Sequence, residues 1–441
     1  MKRLIIFISV ALATTAMLSG QSSDTKRGWN LGALPTITFD TDLGFQYGAL
    51  INLFNYGEGD IFPDYYQSLY FEVSRFTKGS GINRFMFDSD HLIPGVRYTV
   101  DLSYLTDRAY DFYGFNGYEA VYNRKWEDDS SEDYRSRMFY RHDRTYFRFK
   151  NDFEGSLYGK GLKWNAGFNI QRFTTGLVDI DRLNEGREVS DQLPAHEEVP
   201  GLFQLYNEWG VIPDDEFGGG WVNTVKAGLT FDTRDNRANP MSGVWSEAGI
   251  ELSAGLFGSS NSFSKLYMTH RQYFTIIEND LSFAYRVGYQ TTLTGSTPFY
   301  YQTQLIVSQL RGATSEGLGG ARSIRGVLRN RVVGDGFLYG NLELRYKAIR
   351  FNFINQSFYI GLNGFADFGM VTTRIDYDIP DMPDNDASLF FNPGGEKMRY
   401  SLGSGLRIVM NKNFIIAADL GKAINDQDGN IGFYMGLNYL F

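Results

Sequence analysis

Residues 357–370 read SFYIGLNGFADFGM. Phe358, Ile360, Leu362, Ala366, Phe368 and Met370 fall on one face, and Tyr359, Gly361, Asn363, Phe365, Asp367 and Gly369 on the other. A repeat of two belongs to a β-strand, whose successive side chains point to opposite sides of the sheet; a helix repeats at about 3.6. The run is longer than the usual strand of about 5–6 residues, and its polar face mixes a carboxylate with glycines.

The same alternation recurs on both sides of this stretch. In FLYGNLELRYKA (337–348), Leu338, Leu342, Leu344 and Tyr346 oppose Asn341, Glu343, Arg345 and Lys347. In NFIIAADLG (413–421), Phe414, Ile416, Ala418 and Leu420 oppose Ile415, Ala417 and Asp419. In IGFYMGLNYLF (431–441), Ile431, Phe433, Met435, Leu437, Tyr439 and Phe441 share a face. WVNTVKAGLTFD (221–232) sets Trp221, Val225, Ala227, Leu229 and Phe231 against Thr224, Lys226, Thr230 and Asp232. A soluble sandwich would bury such apolar faces between two sheets of shorter strands. A barrel in lipid turns them outward over a band of about 25 Å and keeps a polar lumen. It must close, because an open strand edge cannot face hydrocarbon.

The predicted fold is therefore all-β, a transmembrane antiparallel barrel of about sixteen strands, an even number as single-chain bacterial barrels have. Strands are expected near 44–56, 66–79, 82–91, 96–108, 138–155, 162–175, 222–235, 243–257, 262–278, 280–294, 299–311, 336–352, 357–372, 398–410, 413–422 and 431–441. Placing both termini in the periplasm makes connections 312–335 and 373–397 extracellular. It makes the insert of about 176–221, which contains EEVPGLFQLYNEWG, periplasmic.

Composition agrees with this class. The chain has 441 residues with 29 Tyr, 36 Phe and 49 Gly, and aromatics favour strands and membrane boundaries. The formal charge of −9 argues against nucleic acid as a partner, since such proteins are basic. With no cysteine there are neither disulfides nor thiolate metal sites. Lys2 and Arg3 precede the apolar run LIIFISVALATTAML, the layout of a secretory signal peptide, expected to span 1–20 with cleavage after Gly20, the alternative being after Ala16. Residues 21–43 are then a short periplasmic segment and 44–441 the barrel. These features point to the outer membrane of a Gram-negative-type bacterium.

Five motifs in order carry a resemblance to the BamA/TamA superfamily of outer-membrane barrels, the bacterial surface-antigen family. FDTRDNRANPMSG (231–243) resembles the family turn through Asp232, Arg234, Asp235, Asn236, Pro240 and Gly243. SIRGV (323–327) stands where the family has its Val-Arg-Gly-aromatic loop, and GNLELRY (340–346), FADFG (365–369) and SLGSGLRI (401–408) follow. The resemblance implies that loop 312–335 folds back into the lumen and that Arg325, beside Gly326, meets carboxylates of the wall, here Asp367 and Glu343. Val327 replaces the family's aromatic, which implies looser packing of that loop. The aromatic end, with Phe433, Leu437, Tyr439 and Phe441, implies an insertion signal read by the barrel-insertion machinery.

The segment before the first expected strand is too short for the family's POTRA domains, so this is expected to be a short member. The implied function is to help insert or translocate proteins, or lipids, at the outer membrane, with periplasmic or outer-membrane protein partners and with lipid and lipopolysaccharide around it. The alternative is a passive or gated pore, or a surface-exposed structural protein, on the same fold. No enzyme, cofactor or metal is expected. The loop GGARSIRGVLRNR (319–331) lacks the Lys-Ser/Thr and helix of a phosphate-binding loop. His91, His142, His196 and His270 have no metal-ligand spacing. INDQDGNIG (424–432) lacks the full ligand set of a calcium loop and reads as a turn. GSG (403–405) lacks the context of a nucleophile elbow, and Glu247, Glu251 and Asp419 are expected to line the lumen.

Overall fold

The computed structural model describes residues 26–441 except 42, 63, 160, 238, 307–316, 354–355, 381–385 and 411–413. The expected signal peptide and the start of loop 312–335 lie outside the described residues. Sixteen antiparallel strands close into one barrel, each paired with its neighbours in sequence and β1 meeting β16. They are β1 (Trp29–Asp40), β2 (Gly44–Asn55), β3 (Gln67–Phe76), β4 (Gly81–Ile93), β5 (Val96–Asp111), β6 (Arg141–Tyr158), β7 (Leu162–Gly176) and β8 (Thr224–Asp232). The second half comprises β9 (Gly243–Ser253), β10 (Phe263–Ile277), β11 (Leu281–Gly295), β12 (Gly336–Phe353), β13 (Gln356–Thr373), β14 (Arg399–Met410), β15 (Phe414–Ala423) and β16 (Ile431–Leu437).

Alternation sets which face goes where. On β12 and β13, Asn341, Glu343, Arg345, Asn363 and Asp367 are buried, whereas Leu342, Leu344, Tyr346 and Leu362 are exposed. The lumen is polar and crossed by ion pairs, such as Arg271 to Glu247 at 3.0 Å and Lys226 to Asp152 at 2.8 Å. The outer face is the apolar one, as a barrel in lipid requires. Among the described residues no helix is long and apolar enough to cross a membrane.

The strand roster corrects the sequence reading at two places that cancel in the count. Residues 29–40, WNLGALPTITFD, form β1, whereas the sequence pattern places them in the short periplasmic segment 21–43 ahead of the barrel. Pro35 cannot donate to a ladder and ordinarily demotes a strand to an edge. Conversely, 299–311 is no strand in its described part: Phe299–Tyr301 is a short 3-10 turn. The extra strand at the front reverses the direction of everything from β2 to β11. The insert between β7 and β8 thus lies at the same end as connections 296–335 and 374–398, not at the opposite end.

That insert carries helices α1 (Ile180–Asn184), α2 (Leu202–Glu208) and α3 (Asp214–Phe217), and α4 (Ala387–Phe390) sits in the β13–β14 connection. Aromatic contacts lock these connections together. Ring centroids of Phe203 and Phe299 lie 5.6 Å apart, Tyr206 and Phe391 5.6 Å, and Trp209 and Phe390 4.9 Å. Trp126 and Phe139 of the β5–β6 connection join the same buried cluster. The long connections therefore build an aromatic cap over one mouth of the barrel. At the other mouth the turns are tight: Gly95 takes φ 75° between β4 and β5, and Asn279 takes φ 63° between β10 and β11.

The end of the chain gives a third correction. β16 stops at Leu437, so the expected strand 431–441 is four residues shorter. Ile431, Phe433 and Leu437 are exposed on the outer face, but Phe441 is buried inside. Tyr439 and Phe441 thus do not continue the outward aromatic face.

Candidate functional site

The glycine-rich segment between β11 and β12 descends into the lumen, and Arg325 at its tip is fully buried. Its Nε and Nη2 donate to the two carboxylate oxygens of Asp367 on β13, both at 2.9 Å, and its backbone N–H donates to Asp367 Oδ2 at 3.0 Å. Nη1 donates to Glu343 Oε1 on β12 at 2.8 Å and to Asp419 Oδ2 on β15 at 3.4 Å. The guanidinium also covers the Phe365 ring, 3.4 Å from its centroid. Burial would lower the pKa of Arg325, yet the carboxylates of Asp367 and Glu343 hold it above the ordinary arginine value.

Two more guanidiniums balance the charge. Arg345 Nε donates to Glu343 Oε2 at 2.8 Å, and Arg407 spans Asp419 at 2.7 and 3.0 Å. Three guanidiniums thus face three carboxylates, the condition under which buried charge is tolerable. The structure brings Arg325, Glu343 and Asp367 together. The sequence pattern places Asp419 only in the lumen lining and gives Arg345 and Arg407 no partner. Their signal was present in the inward register of LELRY and GSGLRI, which shows the face a residue lies on but not its partner across strands.

Close approach requires glycine at 326. Its φ is 95°, and a Cβ there would sit 2.6 Å from the carbonyl carbon of Gly421 on β15. Its N–H donates to the Tyr434 hydroxyl on β16 at 3.2 Å. Val327 and Ile324 are buried with Leu318, Val332, Phe337, Tyr339 and Val371, so the loop is closely packed without the aromatic.

The neighbouring arginines are structural ties. Arg329 bonds Asp107 and Asp111 of β5 at 2.8 and 2.5 Å. Arg331 donates to the carbonyl oxygens of Gln427, Gly117 and Ala120 at 2.8, 2.8 and 2.9 Å. Tyr118 donates to Asp428, which also accepts from Arg399 at 3.0 Å, so the β15–β16 turn is bound to the cap. Arg322 alone of the four is exposed. Among the described residues no group of three or more His, Cys, Asp or Glu is placed to hold a metal.

The turn motif lies at the other mouth, between β8 and β9. Arg234 pairs with Asp232 at 2.9 and 2.8 Å and stacks 3.9 Å over the Trp245 ring. Asp235 Oδ1 accepts from the backbone N–H groups of Asn236, Met241 and Ser242, closing the loop around Pro240. Gly243 at φ 102° packs against the Thr233 carbonyl oxygen. Asn239 reaches inward to the Tyr359 hydroxyl at 2.7 Å.

The seam between first and last strands is short. β1 pairs with β2 along its whole length, from Trp29 opposite Asn55 to Asp40 opposite Gly44. It pairs with β16 only through Phe39 opposite Met435 and Asp40 opposite Tyr434. Just above, the Thr41 hydroxyl accepts from the Phe433 N–H at 2.7 Å. Among the described residues, the β1 edge from Trp29 to Thr38 therefore has no strand beside it on the seam side.

The model of the Omp85 superfamily domain matches residues 97–441. The chain belongs to the Omp85 superfamily. Among solved structures, this Omp85 barrel is similar to BamA from Haemophilus ducreyi lacking POTRA domains 1–3, at 15% identity and TM-score 0.54, over 94% of this chain and 71% of that one. It is also similar to CdiB from Escherichia coli, at 10% identity and TM-score 0.52, over 95% of this chain and 64% of that one. No curated protein sequence matches it. Omp85 barrels are outer-membrane proteins of Gram-negative bacteria, and the chain is an outer-membrane β-barrel.

Proposed function

We propose that this barrel helps insert or translocate proteins at the outer membrane, with the free edge of β1 as the place where a client strand pairs. The observation that carries this reading is the seam, whose strand pairing is limited to Phe39–Met435 and Asp40–Tyr434 with Thr41 bonding Phe433 beside them. An unpaired edge displays main-chain donors and acceptors in strand geometry, and an extended client adds to it by β-augmentation. The capped mouth faces outward, both chain ends lie on the periplasmic side, and periplasmic or outer-membrane proteins deliver clients. Arg325, held by Asp367 and Glu343, latches the loop that fastens the upper part of the seam through Tyr434.

The test uses the absence of native cysteine. Cysteines replacing Ile37 and Leu437, opposed when the register of Phe39 and Met435 continues, draw β16 along the free edge and close it when oxidised. In cells relying on this protein, the oxidised pair is expected to deplete other outer-membrane barrels, and reduction to restore them. An unchanged outer-membrane proteome with the seam fully locked would remove the reading. The pore alternative predicts a conductance, insensitive to the lock, that rises in Arg325→Ala.

A further inference from the structure

The β5–β6 and β13–β14 connections leave a cleft of about 340 Å³ in the cap, lined by Asn116 and Glu119 of the first and by Arg374, Asp376, Tyr377 and Phe391 of the second. That size falls among small-ligand sites, which run about 300–1,000 Å³. Its walls are fixed to each other by the fold. Asn116 holds a left-handed φ of 59°, and its side chain bonds the Ile375 backbone twice, Nδ2 donating to the carbonyl oxygen at 2.9 Å and Oδ1 accepting from the N–H at 2.8 Å. Ala120 bridges Phe391 in antiparallel fashion, and the Asn392 N–H donates to the Glu119 carbonyl oxygen at 2.9 Å. The Tyr377 ring lies 6.1 Å from Phe391 and 6.2 Å from Phe115, so the aromatic side of the cleft is continuous with the cap's packed core.

The polar side of the cleft is incompletely engaged. Glu119 is buried, and its Oε1 accepts from the Gly394 N–H at 2.9 Å and from Arg374 Nη2. Among the described residues its Oε2 accepts no hydrogen bond and is not sealed from water. Asp376 and Arg374 are both exposed. The Tyr377 hydroxyl is pushed up to about 12 by burial and by the Glu119 charge, so it stays neutral at neutral pH, able both to donate and to accept. Carboxylates only accept and a guanidinium only donates, and here the two kinds stand together beside aromatic rings. A cation would meet the charge of Arg374, and an anion those of Glu119 and Asp376. A neutral ligand with adjacent hydroxyls suits both kinds at once, donating to a carboxylate and accepting from the guanidinium. An apolar face on the same ligand covers the ring. Sugar rings combine these properties.

We propose that this cleft binds a neutral sugar residue of a polysaccharide, with Glu119 and Asp376 as acceptors, Arg374 as donor and the Tyr377 ring as the stacking face. The reading of the capped mouth as the outward one sets the cleft among the polysaccharide chains of the cell surface, and the binding itself does not depend on that orientation. None of these residues lies in β1, in β16 or in the segment around Arg325, so the site is separate from the seam. A sugar held between Glu119 and Asp376 would staple the two connections together. Asn116, whose N–H donates to the Val333 carbonyl oxygen at 2.7 Å, joins that staple to the chain leading into β12.

The test is a saturation-transfer NMR titration of the purified full-length barrel in micelles of an amine-oxide detergent, which has no sugar headgroup. Two probes are titrated: the polysaccharide freed by mild acid from the source bacterium's own lipopolysaccharide, and maltoheptaose. Heat-modifiable migration checks that every variant is a closed barrel. Glu119→Gln keeps an acceptor for the Gly394 N–H but loses the charge, and it is expected to weaken sugar binding about ten-fold, the scale of a hydrogen bond to a charged group. Asp376→Asn, at an exposed position with little risk to folding, should weaken it several-fold. Binding of the first probe alone identifies the cell's own surface chains as the source, binding of maltoheptaose alone a glycan from elsewhere, and binding of both a site for sugar rings in general; each supports the proposal. Binding of neither probe overturns it, as does binding that Glu119→Gln and Asp376→Asn both leave unchanged. Pentalysine bound in place of the sugars and released by salt also overturns it, making the cleft a site for a cationic partner. Seam locking moves none of these readouts, so the client reading is tested separately.

Discussion

At Arg325 a guanidinium with no exposed surface is held by three carboxylates from three strands. Replacing it with alanine leaves Asp367 without its bidentate partner, and breaking a buried pair costs about 3–5 kcal/mol. Arg325→Ala is expected to lower the thermal unfolding midpoint and expose 317–331 to protease. Arg325→Lys should rescue little, because an ammonium cannot bridge both Asp367 oxygens while reaching Glu343. Gly326→Ala should open the same segment, since a left-handed non-glycine residue costs about 1–3 kcal/mol even before the clash with Gly421. Limited proteolysis with mass mapping reads both. Arg325, Glu343 and Asp367 were legible from motif and alternation together. Arg345 and Arg407 were not, because alternation places a side chain inside the barrel but does not say which strand it leans toward.

Among the elements, β1 and β16 are the pair whose weakness matters. β16 is the shortest of the described strands, and Pro35 of β1 faces the seam, because the Thr41 N–H donates across it to Phe433 and odd-numbered residues share that side. Pro35→Ala restores an N–H to the open edge and should lengthen the seam. Cysteines replacing Ile37 and Leu437, opposed if the register continues, are expected to cross-link several-fold faster in the Pro35→Ala background. An unchanged rate would show that Asn438, not Pro35, sets the end of the ladder. The residue that makes β1 a good open edge also hid it in the sequence. In WNLGALPTITFD the period-2 signal is interrupted by Gly32 and Pro35, and only pairing with β2 across all twelve residues makes it a strand.

For the whole molecule, the unnoticed strand changes the geography. The insert with α2 joins the cap, where Tyr206 packs on Phe112, Phe115 and Phe391. Large aromatic truncations in a packed core cost about 3–5 kcal/mol. Tyr206→Ala should therefore loosen the cap without unpairing the barrel, since these ring partners lie outside the strands. Bilayer recordings should show raised conductance with unchanged β-sheet circular dichroism. If conductance stays at the wild-type level, the loop around Arg325 alone blocks the lumen.

The SIRGV motif, through its resemblance to a family loop, pointed Arg325 at the lumen. Local alternation by itself determined that this chain is a lipid-facing barrel, which face of each long strand looks inward, and that Glu343 and Asp367 line the lumen. These follow from the two-residue period of a strand, which each segment carries in its own residues. Three matters were decided only by tertiary structure: that 29–40 closes the barrel, that the insert belongs to the cap, and that Tyr439 and Phe441 turn inward. Each depends on a partner remote in sequence. A strand weakened by proline exists because β2 lies beside it, and the side on which an insert emerges depends on every strand before it. Inside the lumen, Tyr439 and Phe441 meet Arg286 of β11, Arg345 of β12 and Arg407 of β14, residues that no local pattern places beside them.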